Sequence, residues 1–171
     1  GYLGYLRGHT MLHEAANDPD ILALAQRAYD ETGQALITEF GFDPDEHRAM
    51  QQLALAKYRD ERIADPIERN CRDARRKLSP DDRLVGPARL AIKHGIKPHA
   101  VCLAIAAALH YDGPNDPGTQ EVRQTVRNQG IEAAVEQFCN ITPTDPLFPL
   151  IMEGNRQLKP WTDATSEPPA S

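Results

Sequence analysis

The stretch ERNCRDARRKLSPDDRLVGPARL, Glu68 to Leu90, decides how the rest of this chain is read. Between positions 69 and 77 it places Arg69, Arg72, Arg75, Arg76 and Lys77 against one acid, Asp73. That is a local balance of +4 (five minus one) inside a chain of net charge −6. Like charges crowded together repel and must be hydrated or paired. One reading is a solvated helix face. The other is an anion site, in which arginine offers a planar fork and lysine a point charge to phosphate or carboxylate.

The same stretch resembles the polyol-specific long-chain dehydrogenases, the mannitol dehydrogenase family, and within it the branch acting on mannitol 1-phosphate. The likeness rests on an arginine and a lysine eight apart (Arg69, Lys77), an aspartate four after the arginine (Asp73), and the run Lys77-Leu78-Ser79-Pro80 through Leu84-Val85-Gly86-Pro87-Ala88. It departs at Ala74-Arg75, where Pro-Leu is common. Gly1-Tyr2-Leu3-Gly4-Tyr5-Leu6-Arg7-Gly8 and His13-Glu14-Ala15 extend it, and it continues to about Leu158.

The resemblance implies an all-α, multihelical substrate-binding domain with the 6-phosphogluconate dehydrogenase C-terminal-like fold over residues 1–158, followed by a flexible tail at 159–171. It assigns Arg69 and Lys77 to the sugar alcohol. Arg72 and Arg76 are candidates for the phosphate end, Asp73 for orienting an arginine, and Arg83 for a salt bridge behind the site. The implied reaction interconverts mannitol 1-phosphate and fructose 6-phosphate with NAD. A nucleotide-binding domain of the same protein would hold the NAD, and this chain alone would bind none. The family's Lys-x(4–5)-Asn-x-x-His motif, whose lysine is the general base, lies just upstream of the GYLGYL-like stretch. No lysine here has that Asn and His behind it. No catalytic residue is therefore expected in this chain, and alone it is expected to be inactive. Domains of mannitol 2-dehydrogenase or hexuronate reductase share the architecture. A different class of reading is a stand-alone, non-catalytic helical interaction module.

Bulk properties fit a cytoplasmic globular domain. At 171 residues, with 40% hydrophobic and 26% charged residues, one domain can bury a sizeable core. The acidic balance argues against general nucleic-acid binding. The longest apolar run, Ala100 to Leu109, is ten residues and too short to span a bilayer. Cys71, Cys102 and Cys139 are odd in number and scattered, as reduced thiols would be. The opening Gly1-Tyr2 carries no signal-peptide pattern and no initiator Met, which suggests a fragment.

Taken in order, apolar spacing from Tyr2 to Ala16 predicts a helix. Asp18-Pro19 should cap a second helix running to Gly41, and Asp43-Pro44 a third through Met50, Leu53, Leu55, Ala56 and Ile63. Ser79-Pro80-Asp81-Asp82 reads as another helix start, with Gly86-Pro87 interrupting or bending that helix before it resumes through Leu90 and Ile92. Lys97-Pro98 opens the most hydrophobic helix, apolar on nearly all faces and so predicted to be central. Residues 112–118 read as a loop. Three more helices are expected, at 119–129, at 131–139 and from Asp145-Pro146 to Leu158. No stretch alternates long enough for a strand.

Other candidate chemistry is thin. His9 and His13, four apart on the first helix, would share a face, but no third metal ligand stands at motif spacing. No Gly-x-Gly-x-x-Gly occurs to cradle a dinucleotide. His99 and His110 read as hydrogen-bonded structural histidines. Cys71 would be reactive if the neighbouring cations faced it, and is otherwise inert. An apolar interdomain face on the first helix and the Ala-rich helix would favour self-association.

Overall fold

The computed structural model describes residues 1–113, 115–159 and 161. These form eleven helices and, among the described residues, no strand. Most of the tail expected at 159–171 lies outside them.

Aspartate caps set the helix starts. Asp18 Oδ1 accepts from the amides of Asp20 (3.0 Å) and Ile21 (3.3 Å) and opens α3 (Pro19–Phe40), which closes on Gly41 at φ +67°. Asp43 Oδ1 does the same for Asp45 (3.0 Å) and Glu46 (2.9 Å), opening α4 (Pro44–Arg59). Proline fits directly after each cap because its missing N–H is one that a helix start leaves unpaired anyway. A further Asp-Pro start, Asp116-Pro117, opens α9 (Pro117–Gln129) inside the stretch read as loop.

Four expectations need correction. The single helix expected over residues 2–16 is two, α1 (Tyr2–Leu6) and α2 (Leu12–Asn17). Gly8, at φ +80°, breaks the run. Thr10 and Leu12 then pair with the distant chain: Ile67 N–H donates to Thr10 O (2.9 Å) and Leu12 N–H to Asp65 O (2.8 Å). The third helix stops at Arg59, short of Ile63. Ser79 starts no helix. Residues 79–84 are turns, and α7 (Val85–Lys93) begins at Val85, so Gly86-Pro87 lies in its first turn, where proline costs no hydrogen bond. Finally, the Ala-rich helix is not an open face.

That helix, α8 (His99–His110), is the centre of the molecule, with Ile105 to Leu109 fully buried. Its alanines let neighbours approach, and Gly154 of α11 (Leu147–Gln157) crosses so close that an added Cβ would meet Leu103 Cα at 2.8 Å. Glu31 of α3 caps α8, accepting from Ala100 N–H (2.9 and 3.1 Å) and Val101 N–H (3.1 Å). His110 Nε2 meets Asn155 Oδ1 at 2.7 Å. Helix α10 (Ile131–Cys139) packs on α9, and α1 closes the core with Tyr2 and Leu6. The exposed large apolar side chains lie elsewhere, at Phe40, Phe42, Met50, Leu53, Tyr58 and Ile63. Among the described residues no helix is long and apolar enough to cross a membrane.

Candidate functional site

The basic stretch folds as two short helices, α5 (Ile67–Cys71) and α6 (Ala74–Lys77), joined through Arg72 and Asp73. Asp73 is left-handed (φ 60°, ψ 55°), a conformation a non-glycine residue keeps only when its surroundings hold it. Here Asp116 does so. Its Oδ2 accepts from Asp73 N–H and from the Thr119 hydroxyl (2.7 Å), while Oδ1 caps Thr119 N–H (3.2 Å). The buried Thr119 hydroxyl accepts from Ala74 N–H (3.3 Å). The entry to α6 is thus bolted to the start of α9. On the α5 side of the same turn, the Tyr2 hydroxyl donates to Cys71 O (3.0 Å) and pins the end of that helix.

This scaffold sends the cations in different directions. Arg75 turns to Glu121 (3.2 Å). Arg76 is held between Asp73 (2.7 Å) and Asp82 (2.7 Å). Arg83 pairs with Asp82 (3.1 Å). A groove of about 360 Å³ lies here, lined by Asp73, Arg75, Arg76, Ser79, Gln137 and Phe138. Arg72 is exposed and, among the described residues, has no ion-pair partner.

Lys77 turns inward. It is 6% exposed, the one buried charged residue among the described residues. Its ammonium donates to Asn70 O and lies 5.8 Å from the centre of the Tyr2 ring, with no carboxylate of the described residues in ion-pair range. Burial pulls its pKa below the ordinary lysine value, and the Arg83 and Arg76 charges add to that. Asn70 follows Arg69 in α5, so the structure brings Lys77 to the turn that carries Arg69. The Arg69 guanidinium is exposed. Its Nε meets Asp65 Oδ1 at 3.0 Å, leaving the outer fork open. Grooves flank this corner. One of about 260 Å³ includes Asn70, Ile21, Tyr29 and Tyr58; the other, about 500 Å³, includes Tyr5, His9, Ile67, Glu68 and Tyr111.

Cys71 is not the activated thiol that facing cations would make. It is fully buried, and desolvation pushes its pKa up to about 11 despite Lys77 nearby. His9 lies outside the helices and meets Asp18 Oδ2 at 3.2 Å, so it shares no helix face with His13. Sequence reasoning missed Tyr2 and Asn70, whose relation to Lys77 spans up to 75 residues. It also missed Asp116, although the Asp-Pro pair was a legible signal.

Residues 1–143 match the family model described as the mannitol dehydrogenase C-terminal domain. Curated relatives include mannitol-1-phosphate 5-dehydrogenases of Exiguobacterium sp. (34% identical over 152 residues, 89% of this chain and 40% of that protein) and Exiguobacterium sibiricum (36% over 163 residues, 95% and 43%). The chain therefore spans about two fifths of the length of these relatives. Among solved structures, Pseudomonas fluorescens mannitol 2-dehydrogenase, in a ternary complex with NAD and D-mannitol, has the same fold. Its TM-score is 0.65 at 21% identity, over 96% of this chain and 36% of that one.

Proposed function

Because this chain belongs to the mannitol dehydrogenase C-terminal domain family, we propose that it forms the sugar-alcohol-binding part of an NAD-dependent oxidoreductase that interconverts mannitol 1-phosphate and fructose 6-phosphate. The observation that carries this reading is Lys77. A buried ammonium costs free energy unless it is paired, and this one has a single carbonyl and a ring face. A charge kept at such a cost marks a site that awaits an acceptor.

In this reading Lys77 directs its remaining N–H groups at hydroxyl oxygens of the sugar chain, and low local polarity strengthens those bonds. The open fork of Arg69 takes neighbouring oxygens in a planar, two-point grip. Arg72, exposed and without an ion-pair partner among the described residues, is the better placed of the phosphate candidates, because Arg76 is already committed to two carboxylates. Asp73 acts on the site through Arg76 and through the turn that aims Lys77. The described residues form no strand–turn–helix cradle for a dinucleotide. NAD, and the group that moves the proton, belong to the rest of the enzyme. The part of this chain is to bind and orient the substrate.

The test is NADH consumption by the protein expressed from its complete reading frame, with fructose 6-phosphate and fructose offered separately. The phosphate ester should be the preferred substrate. Lys77→Met and Arg69→Ala should abolish turnover, and Arg72→Ala should raise KM for the phosphate ester alone. Preference for fructose, or indifference to Arg72→Ala, would remove the phosphate assignment. Full activity of Lys77→Met would remove the site.

A further inference from the structure

Helix α4 gives no residue to the core, yet it carries an apolar stripe on the side turned away from α3. Met50 is 62% and Leu53 71% exposed. With 3.6 residues per turn, Glu46, Met50, Leu53 and Lys57 fall within about 60° of the helix circumference and span about 16 Å of its length. Gln51, on the opposite side, donates to Tyr29 O of α3 (2.8 Å), which fixes this stripe outward. Glu46 and Lys57 are exposed, and neither has an ion-pair partner among the described residues. Ala49 and Ala56 beside them are small and exposed, leaving room for close approach.

We propose that this stripe is a contact between two copies of the chain, with α4 packed antiparallel on its own equivalent about a two-fold axis between Met50 and Leu53. The order of the four residues argues for this occupant. Glu46 and Lys57 are equidistant from the midpoint of Met50 and Leu53, four residues outside each. An antiparallel pair therefore sets Glu46 of each copy level with Lys57 of the other, and Met50 level with Leu53. A two-fold contact must be self-complementary, and this one is so in charge and in apolar content together. Parallel pairing would face Glu46 with Glu46 and Lys57 with Lys57. Phe40 and Phe42, 60% and 47% exposed with ring centroids 5.6 Å apart, enlarge the apolar surface beside the start of α4. One helix pair is a small interface, so the dimer should be concentration-dependent.

The test is sedimentation velocity of the complete polypeptide over a concentration series, with far-UV circular dichroism of each variant. Wild type should pass from monomer to dimer. Glu46→Lys or Lys57→Glu alone sets like charges against each other and should raise the midpoint concentration about tenfold or more, whereas the double exchange should restore it to within about threefold. Leu53→Glu should abolish the dimer. A wild-type monomer at every concentration would overturn the proposal, including one whose stripe is covered by the rest of its own chain. So would a dimer indifferent to either single reversal, or a double exchange that restores nothing.

Discussion

Asp116→Ala removes one carboxylate that holds two elements at once. The α9 cap on Thr119 N–H is lost, which costs about 0.5–2 kcal/mol for such a residue. The Asp73 amide loses its acceptor inside a strained turn, worth about 1–3 kcal/mol for a partly buried donor. Since both share one group, the sum is not additive, and roughly 2–4 kcal/mol is expected. Asp116→Asn keeps one acceptor oxygen but presents an NH₂ group to the cap or to Asp73, so about half that loss is expected. Urea unfolding at pH 7 with an unchanged slope would measure both. The acid side adds a second check. Burial pushes the Asp116 pKa up, but hydrogen bonds from Asp73, Thr119 and Gly118 outweigh it and hold the carboxyl below its ordinary 3.8. A folded-state pKa below the unfolded one stabilises the fold above the ordinary value, and that contribution fades as pH falls from there through the lowered folded-state pKa. The gap between wild type and Asp116→Ala should therefore narrow below about pH 4. In the complete enzyme the variant should also raise KM, because the turn that aims Lys77 is freed. An Asp116→Ala protein within about 0.5 kcal/mol of wild type at pH 7 would refute the bolt between α6 and α9.

Two further outcomes test the packing around this scaffold. Gly154→Ala puts a Cβ 2.8 Å from Leu103 Cα and 3.2 Å from Cys102 O, backbone atoms that cannot swing aside. Overpacking of about 1–3 kcal/mol should exceed the ~1 kcal/mol helix gain and lower Tm, whereas Gly86→Ala, with its nearest neighbours at 3.4 Å, should leave Tm unchanged or higher. Cys71, Cys102 and Cys139 are fully buried, with thiol pKa values pushed up to about 11, 12 and 12. A thiol reagent at pH 8 should label none of them in the native protein and all three in urea; rapid native labelling would contradict their burial.

Local chemistry made much of this fold legible in the sequence. Asp18-Pro19, Asp43-Pro44 and Asp145-Pro146 mark helix starts because a side-chain oxygen two or three residues away can satisfy free amides without help from elsewhere. Gly41, Gly95 and Gly130 mark helix ends or breaks, each at positive φ. The run from Ala100 to Leu109 is apolar on all sides and could only be central. The family was readable for the same reason: Arg69, Asp73 and Lys77 are near in sequence. Where those side chains point was not readable. Lys77 turns inward because Asp116, 43 residues beyond Asp73, fixes the turn before it, and because Tyr2 presents a ring face to its ammonium. The break between α1 and α2 and the outward stripe of α4 also depend on partners further along the chain. Periodicity and capping act within a turn or two of helix. The direction of a charged side chain is settled by hydrogen bonds and burial that exist only once distant segments have met.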